Sequence, residues 1–165
     1  MNGGVAGSQS GPSQGRRSRA SGDGRLRARD LPDAAQQVRA ALAAGDIEKA
    51  TRLVDRARGV FESTRPSIKS EDIADWRILD AKIQLQLKRY EAAGLAAMKV
   101  VILQPDSPRV AEGLCLTGEA YEGLGRPEKA ASLFRECMNT KRVDPEVRRR
   151  AEAGLARLKG KVPSK

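Results

Sequence analysis

Apolar residues recur every three to four positions from about residue 33 to residue 158, the spacing that lines one face of an α-helix. Ala34, Val38, Ala41 and Leu42 form a first stripe that stops at Gly45, with Asp30 or Asp33 placed to cap it. Ile47, Ala50, Leu53, Val54, Ala57, Val60 and Phe61 form a second. Residues 62–69 contain Pro66 and read as a loop. Ser70 then suits a helix cap, and Glu71 and Asp72 suit the positive end of the helix dipole. Trp76, Leu79, Ile83 and Leu87 make the third stripe and Lys88-Arg89 a turn, after which Tyr90, Ala93, Ala97, Val100 and Val101 run on to Pro105.

The most regular stretch spans 110–138. Leu114, Thr117, Gly118 and Tyr121 share one face, Ala130, Leu133, Phe134 and Cys137 another, and Leu124-Gly125-Arg126-Pro127 divides them. Gly125 fits the left-handed position past a helix end, and Pro127 fits the first turn of the next helix. Gly118 and Ala130 are small enough for two antiparallel helices to approach closely. Asp144 and Pro145 open a last helix, with Val147, Ala151, Leu155 and Leu158 on one side and Arg148, Arg149, Arg150, Arg157 and Lys159 on the other. The pattern predicts an all-α chain of helical hairpins.

Gly45-Asp46-Ile47-Glu48-Lys49-Ala50 echoes Gly125-Arg126-Pro127-Glu128-Lys129-Ala130, so the hairpins repeat. The alanines at matching places, Ala50, Ala93 and Ala130, lie 43 and 37 residues apart. Gly118, Tyr121, Ala130 and Phe134 resemble, in type and spacing, the tetratricopeptide repeat, with Leu114 where that family has Trp and Thr117 where it has Leu. Trp76 and Leu79 match the family's Trp and Leu in a frame that puts Asp80 in the small-residue slot. A slip of one residue puts Ala81 there, and the turn before Tyr90 reads one residue longer than the turn before Pro127. Gln104-Pro105-Asp106-Ser107-Pro108 resembles the linker of longer-period members found in bacterial envelope-assembly and cell-division proteins.

The resemblance implies a right-handed α-solenoid of about three hairpins, at 33–62, 71–105 and 108–140, closed by a capping helix at 145–159. A capping helix covers the last apolar face and presents a polar exterior. The resemblance also implies a concave binding face on the first helix of each hairpin: Arg39, then Arg77, Ala81 and Gln84, then Glu112, Cys115, Glu119 and Glu122. The family's clamp for C-terminal carboxylates needs Lys and Asn where this chain has Cys115 and Glu119, so no such clamp is expected. The acidic edge suits a basic peptide, or is simply solvated. Glu119→Lys plus Glu122→Lys would weaken a basic partner.

Composition refines this picture. Aromatic residues are 3% of the 165, which favours thin helical layers over a deep ligand cavity. The net charge of +10 divides into +4 in residues 1–30 and +6 in 141–165, leaving the middle neutral. Residues 1–29 are Gly, Ser, Gln and Arg with almost nothing to bury, and are expected to be disordered. They hold no apolar run of signal-peptide length, which points to a cytoplasmic protein, although an organelle transit peptide stays open. Arg16, Arg17 and Arg19, with Arg148, Arg149 and Arg150, are candidate contacts to nucleic acid or another anionic surface, or a solvated face. Residues 161–165 are expected to fray.

The chain has no His, the commonest general base and metal ligand, and no Gly-rich phosphate loop between strand and helix. Cys115 and Cys137 are too far apart for a paired zinc motif, and serve as free thiols acting as small apolar residues or approach each other across the third hairpin to form a disulfide. No catalytic, cofactor or metal site is expected. The reading is a non-enzymatic interaction module, an adaptor or small subunit of a complex that binds another protein or peptide through its groove. A nucleic-acid-associated protein with gripping basic ends, and an envelope-assembly factor, are the alternatives. No membrane span is expected, and three repeats lie near the minimum for a stable array, so self-association fits as well.

Overall fold

Each stripe becomes a helix, and each change of face becomes a turn. The computed structural model describes residues 26–64 and 69–160. The other parts of the expected N-terminal tail, Pro66 and residues 161–165 lie outside them. Among the described residues are seven α-helices: α1 (Leu31–Ala43), α2 (Ile47–Thr64), α3 (Ser70–Gln86), α4 (Tyr90–Leu103), α5 (Val110–Gly123), α6 (Pro127–Asn139) and α7 (Pro145–Leu158). A single 3-10 turn, Ala28–Asp30, precedes α1, and Leu26 and Ala28 pack against its core. The expected loop from residue 62 instead begins later, because α2 runs on to Thr64.

Three pairs, α1–α2, α3–α4 and α5–α6, are each joined by a three-residue turn of one hydrogen-bonding design. The amide of the middle residue donates to the carbonyl three residues back, and the next amide to the carbonyl five back: Gly45 to Leu42 and Asp46 to Ala41, Lys88 to Leu85 and Arg89 to Gln84, Gly125 to Glu122 and Arg126 to Tyr121. This is the Schellman helix stop, whose middle residue must be left-handed. Gly45 (φ 74°) and Gly125 (φ 68°) adopt that conformation without strain, whereas Lys88 is forced into it at φ 56°. The turn before Tyr90 is therefore no longer than the others; a lysine takes the glycine's place. Its register puts Ala81, fully buried, in the small slot, and moves Trp76 and Leu79 one residue off the family's Trp and Leu positions. Lys88→Gly is expected to raise stability by about 1 kcal/mol, read as a rise of roughly 2–4 °C in thermal midpoint.

Packing is serial. Each odd helix touches the helices on either side of it and also the next odd helix, giving α1–α3, α3–α5 and α5–α7 contacts. The core is accordingly three stacked clusters rather than one centre. α3 supplies Trp76, Leu79 and Ile83 to the first cluster and Ala74, Ile78 and Ala81 to the second, so it is buried on two faces where a single stripe was expected. α5 likewise gives Leu116 to the second and Leu114 and Cys115 to the third. Thr117, where an apolar residue would fit, is buried at no hydrogen-bonding cost, because its hydroxyl donates to the Gly113 carbonyl at 2.8 Å.

The third cluster closes on Phe134, which is fully buried. Its ring is wedged between Gly118 of α5 and Gly154 of α7: an added Cβ would come within 2.7 Å of the ring at Gly118 and 2.5 Å at Gly154. The close approach predicted between Gly118 and Ala130 is thus a glycine–aromatic–glycine sandwich, and α7 is its third layer. Asp144 caps α7, its carboxylate accepting from the Glu146 amide at 2.8 Å. Ser70 does no such capping. It is the first residue of α3, and its hydroxyl and carbonyl instead accept from the Gln104 side chain, which ties the start of α3 to the end of α4.

Candidate functional site

The row of odd helices is laced by charge. Arg39 of α1 meets Asp75 of α3 at 2.8 Å, Asp75 meets Arg109 at 2.6 Å, and Arg109 meets Glu112 of α5 at 3.2 Å. Lys82 of α3 closes the series on the other Glu112 oxygen at 2.6 Å. Glu112 is buried, and two cations hold its carboxylate there. Hydrogen bonding to Asp75 and the charges of Asp75 and Glu112 outweigh burial and hold the Arg109 guanidinium above its ordinary value.

The same row continues into α7. Arg150 forks onto Glu119, with Nη2 at 2.8 Å and 2.7 Å from the two carboxylate oxygens, and Arg157 grips Glu122 with contacts of 2.9 Å and 2.8 Å. Burial works against the Arg150 charge, and the hydrogen bonds and charge of Glu119 more than offset it, so the guanidinium is held above its ordinary value. Arg157 is raised chiefly by its hydrogen bond to Glu122.

The residues expected to form one binding groove therefore divide. Arg39, Glu112, Glu119 and Glu122 are occupied in binding one helix to the next, and the acidic edge is met by the chain's own cations. Cys115 is fully buried between α5 and α7, its thiol facing Glu119 and the Val147 carbonyl, each at 3.9 Å. Hydrogen bonding with Cys137, burial and the Glu119 charge all push its thiol up, and both cysteines are free. Of the candidate anionic-surface contacts, Arg150 is spent on Glu119 and Arg149 meets Glu146 at 2.6 Å, Arg148 is exposed, and Arg16, Arg17 and Arg19 lie outside the described residues.

Arg77 and Gln84 sit elsewhere, in a cleft of about 760 Å³ between α2 and α4, floored by α3. Val54 and Phe61 form one wall, Ala92, Leu95 and Ala96 the other, and Trp76 lies on the floor with its ring edge-on to Phe61 at 5.8 Å. Arg77 reaches from α3 to α4 and its C-cap, donating to Gln104 Oε1 at 3.1 Å and to the Lys99 carbonyl at 3.4 Å. Gln84 donates to Asp80 at 3.0 Å, and Arg58 meets the same carboxylate at 3.4 Å.

The α4 wall rises into an apolar ridge. Leu95 is 61% exposed, Ile102 67% and Leu103 59%, and Leu95 also borders a smaller cleft of about 310 Å³ with Met98 and Tyr121 on its other side. The stripe Tyr90, Ala93, Ala97, Val100 and Val101 follows the inward side of α4 and so leaves these residues out. The repeat register carries the missing signal: Leu95 and Ile102 stand where α2 has Arg52 and Gly59, and where α6 has Ser132 and Asn139. The outward faces of α2 and α6 are dressed for water at these positions, and that of α4 is not.

Among the described residues no group of His, Cys, Asp and Glu could hold a metal ion, and no helix is long and apolar enough to cross a membrane. Among known protein families, curated proteins and solved structures, the chain matches none.

Proposed function

We propose that the protein is a non-enzymatic protein–protein interaction module, an adaptor or small subunit built as a right-handed, tetratricopeptide-like solenoid. Three pairs closed by the same helix stop, and odd helices stacked in one row, support that architecture. The observation that carries the function is the α4 ridge: apolar side chains are left in water where both equivalent helices place polar ones or glycine. The working surface is then the cleft side formed by α2 and α4. The row of odd helices, which the family resemblance would favour, is already neutralised by its own ion pairs.

Association with nucleic acid through the basic ends is the second reading, favoured by the position of the excess charge. It is weakened by the commitment of Arg149, Arg150 and Arg157 to carboxylates. The two are separated by using the full-length protein as bait in extract with and without nuclease, at about 0.1 and 0.5 M salt. A defined protein that survives nuclease and salt, and is lost with Leu95→Glu plus Ile102→Glu, supports the module. Capture that needs nucleic acid and vanishes at high salt overturns it.

A further inference from the structure

Resting on that reading, we propose that the occupant of the α2–α4 cleft is an acidic amphipathic helix of another protein. Its apolar side would seat along Leu95 and Ile102, with its Asp or Glu residues turned toward the cations at the cleft. Leu95 and Ile102 are one heptad apart, the spacing with which one helix meets another along a shared seam. α4, at 14 residues, offers about 21 Å of length, room for a partner of about four turns. Leu95, the first residue of the exposed ridge, lines the α4 wall of the cleft, and Trp76, Phe61 and Val54 supply an apolar interior beside it.

Charge selects the partner. Of the charged residues lining the cleft, Arg58, Arg77 and Lys99 are cations, and only Asp80 is an anion. Arg58 is already met by Asp80 and by Asp55 of α2, each at 3.4 Å. Lys99 is exposed on α4 between Leu95 and Ile102 and forms no ion pair among the described residues, so it carries the selection. A helix bearing acids on its flanks is drawn in, and one bearing lysines is turned away. A second copy of this chain would set cationic rim against cationic rim, which disfavours self-pairing through the same ridge. The chain's own residues 1–25 are also poor occupants, because Arg16, Arg17, Arg19 and Arg25 outnumber the one acid, Asp23.

The chain's one tryptophan lines this cleft, so its fluorescence reports occupancy. The purified full-length protein is titrated with a synthetic helical peptide carrying a Leu/Ile stripe flanked by glutamates, and with a twin in which lysines replace the glutamates. The expected result is saturable binding of the acidic peptide, about tenfold or more tighter than its twin, with the gap narrowing as salt rises. Lys99→Glu is expected to shrink the preference severalfold, and Leu95→Glu plus Ile102→Glu to remove binding. Circular dichroism of these surface variants checks that helix content is kept.

Equal binding of both peptides overturns the acidic partner but leaves the interaction module standing. If neither peptide binds, and light scattering finds a dimer that Leu95→Glu plus Ile102→Glu dissolves, the ridge belongs to a second copy. If neither peptide binds and the protein stays monomeric, the ridge is not a docking surface for helices. Capture of a protein partner by the double variant in the extract experiment would then place the module's surface elsewhere.

Discussion

Phe134→Ala is expected to lower the unfolding free energy by about 3–5 kcal/mol, read from urea or thermal unfolding of the full-length protein. The ring is fully buried and fills the space that two glycines leave open, so its removal empties a gap that spans three helices. Neither glycine carries a side chain that could move in to refill the void. The loss is a large share of the roughly 5–15 kcal/mol that holds a domain of this kind together, and a three-pair array has few neighbouring contacts to spare. Gly154→Ala probes the same sandwich from the other side. It gains helix propensity of about 1 kcal/mol, but its Cβ would sit 2.5 Å from the ring, and overpacking of that kind costs about 1–3 kcal/mol. In a Phe134→Ala background the clash is gone, and Gly154→Ala should become neutral or stabilising. Strict additivity of the two changes would refute the wedge.

Glu119→Lys plus Glu122→Lys is expected to cost about 3 kcal/mol of stability, whatever it does to a partner. Glu119 holds a partly buried guanidinium through a forked contact, for which a value of about 1.5–3 kcal/mol is typical of charged hydrogen bonds. The Glu122–Arg157 pair is more exposed and counts for about 1 kcal/mol or less. Reversing both acids removes these terms and sets lysines against Arg150 and Arg157, loosening α7 from α5. Adding Arg150→Glu and Arg157→Glu restores opposite charges across the same contact and should recover most of the loss. If the reversed acids leave unfolding unchanged but abolish binding of a basic peptide, the ladder is not what holds α7, and the acidic edge is a binding face after all.

These two sites divide what could be read along the chain from what could not. The helix stops were legible residue by residue, because a Schellman turn is local: it needs one left-handed residue and hydrogen bonds within six positions. Even there, matching Trp76 and Leu79 to the family makes the turn before Tyr90 one residue too long, because a lysine gives no hint that it will take a glycine's positive φ. The stripes of α1, α2, α6 and α7 were legible because each of these helices buries essentially one face, and a period of 3.6 reports one face well. α3 and α5 are half legible, since each is clasped on two sides, and apolar residues on both faces (Trp76, Leu79 and Ile83 against Ala74, Ile78 and Ala81; Leu114 and Cys115 against Leu116) blur a single 3.6-residue stripe.

The sequence by itself determined that this chain is helical, where its pairs turn, and that its last helix carries one apolar side. These follow from local propensity, caps and periodicity, which act within a few residues. The tertiary structure alone decided that Phe134 lies between Gly118 and Gly154, that Glu119 and Glu122 are met by Arg150 and Arg157 about 31 to 35 residues away, and that Leu95 and Ile102 are left uncovered. Helix periodicity gives the direction of a side chain about its own axis. What that side chain meets depends on how neighbouring helices cross and how far apart they stand, which is set by the packing of residues remote in sequence.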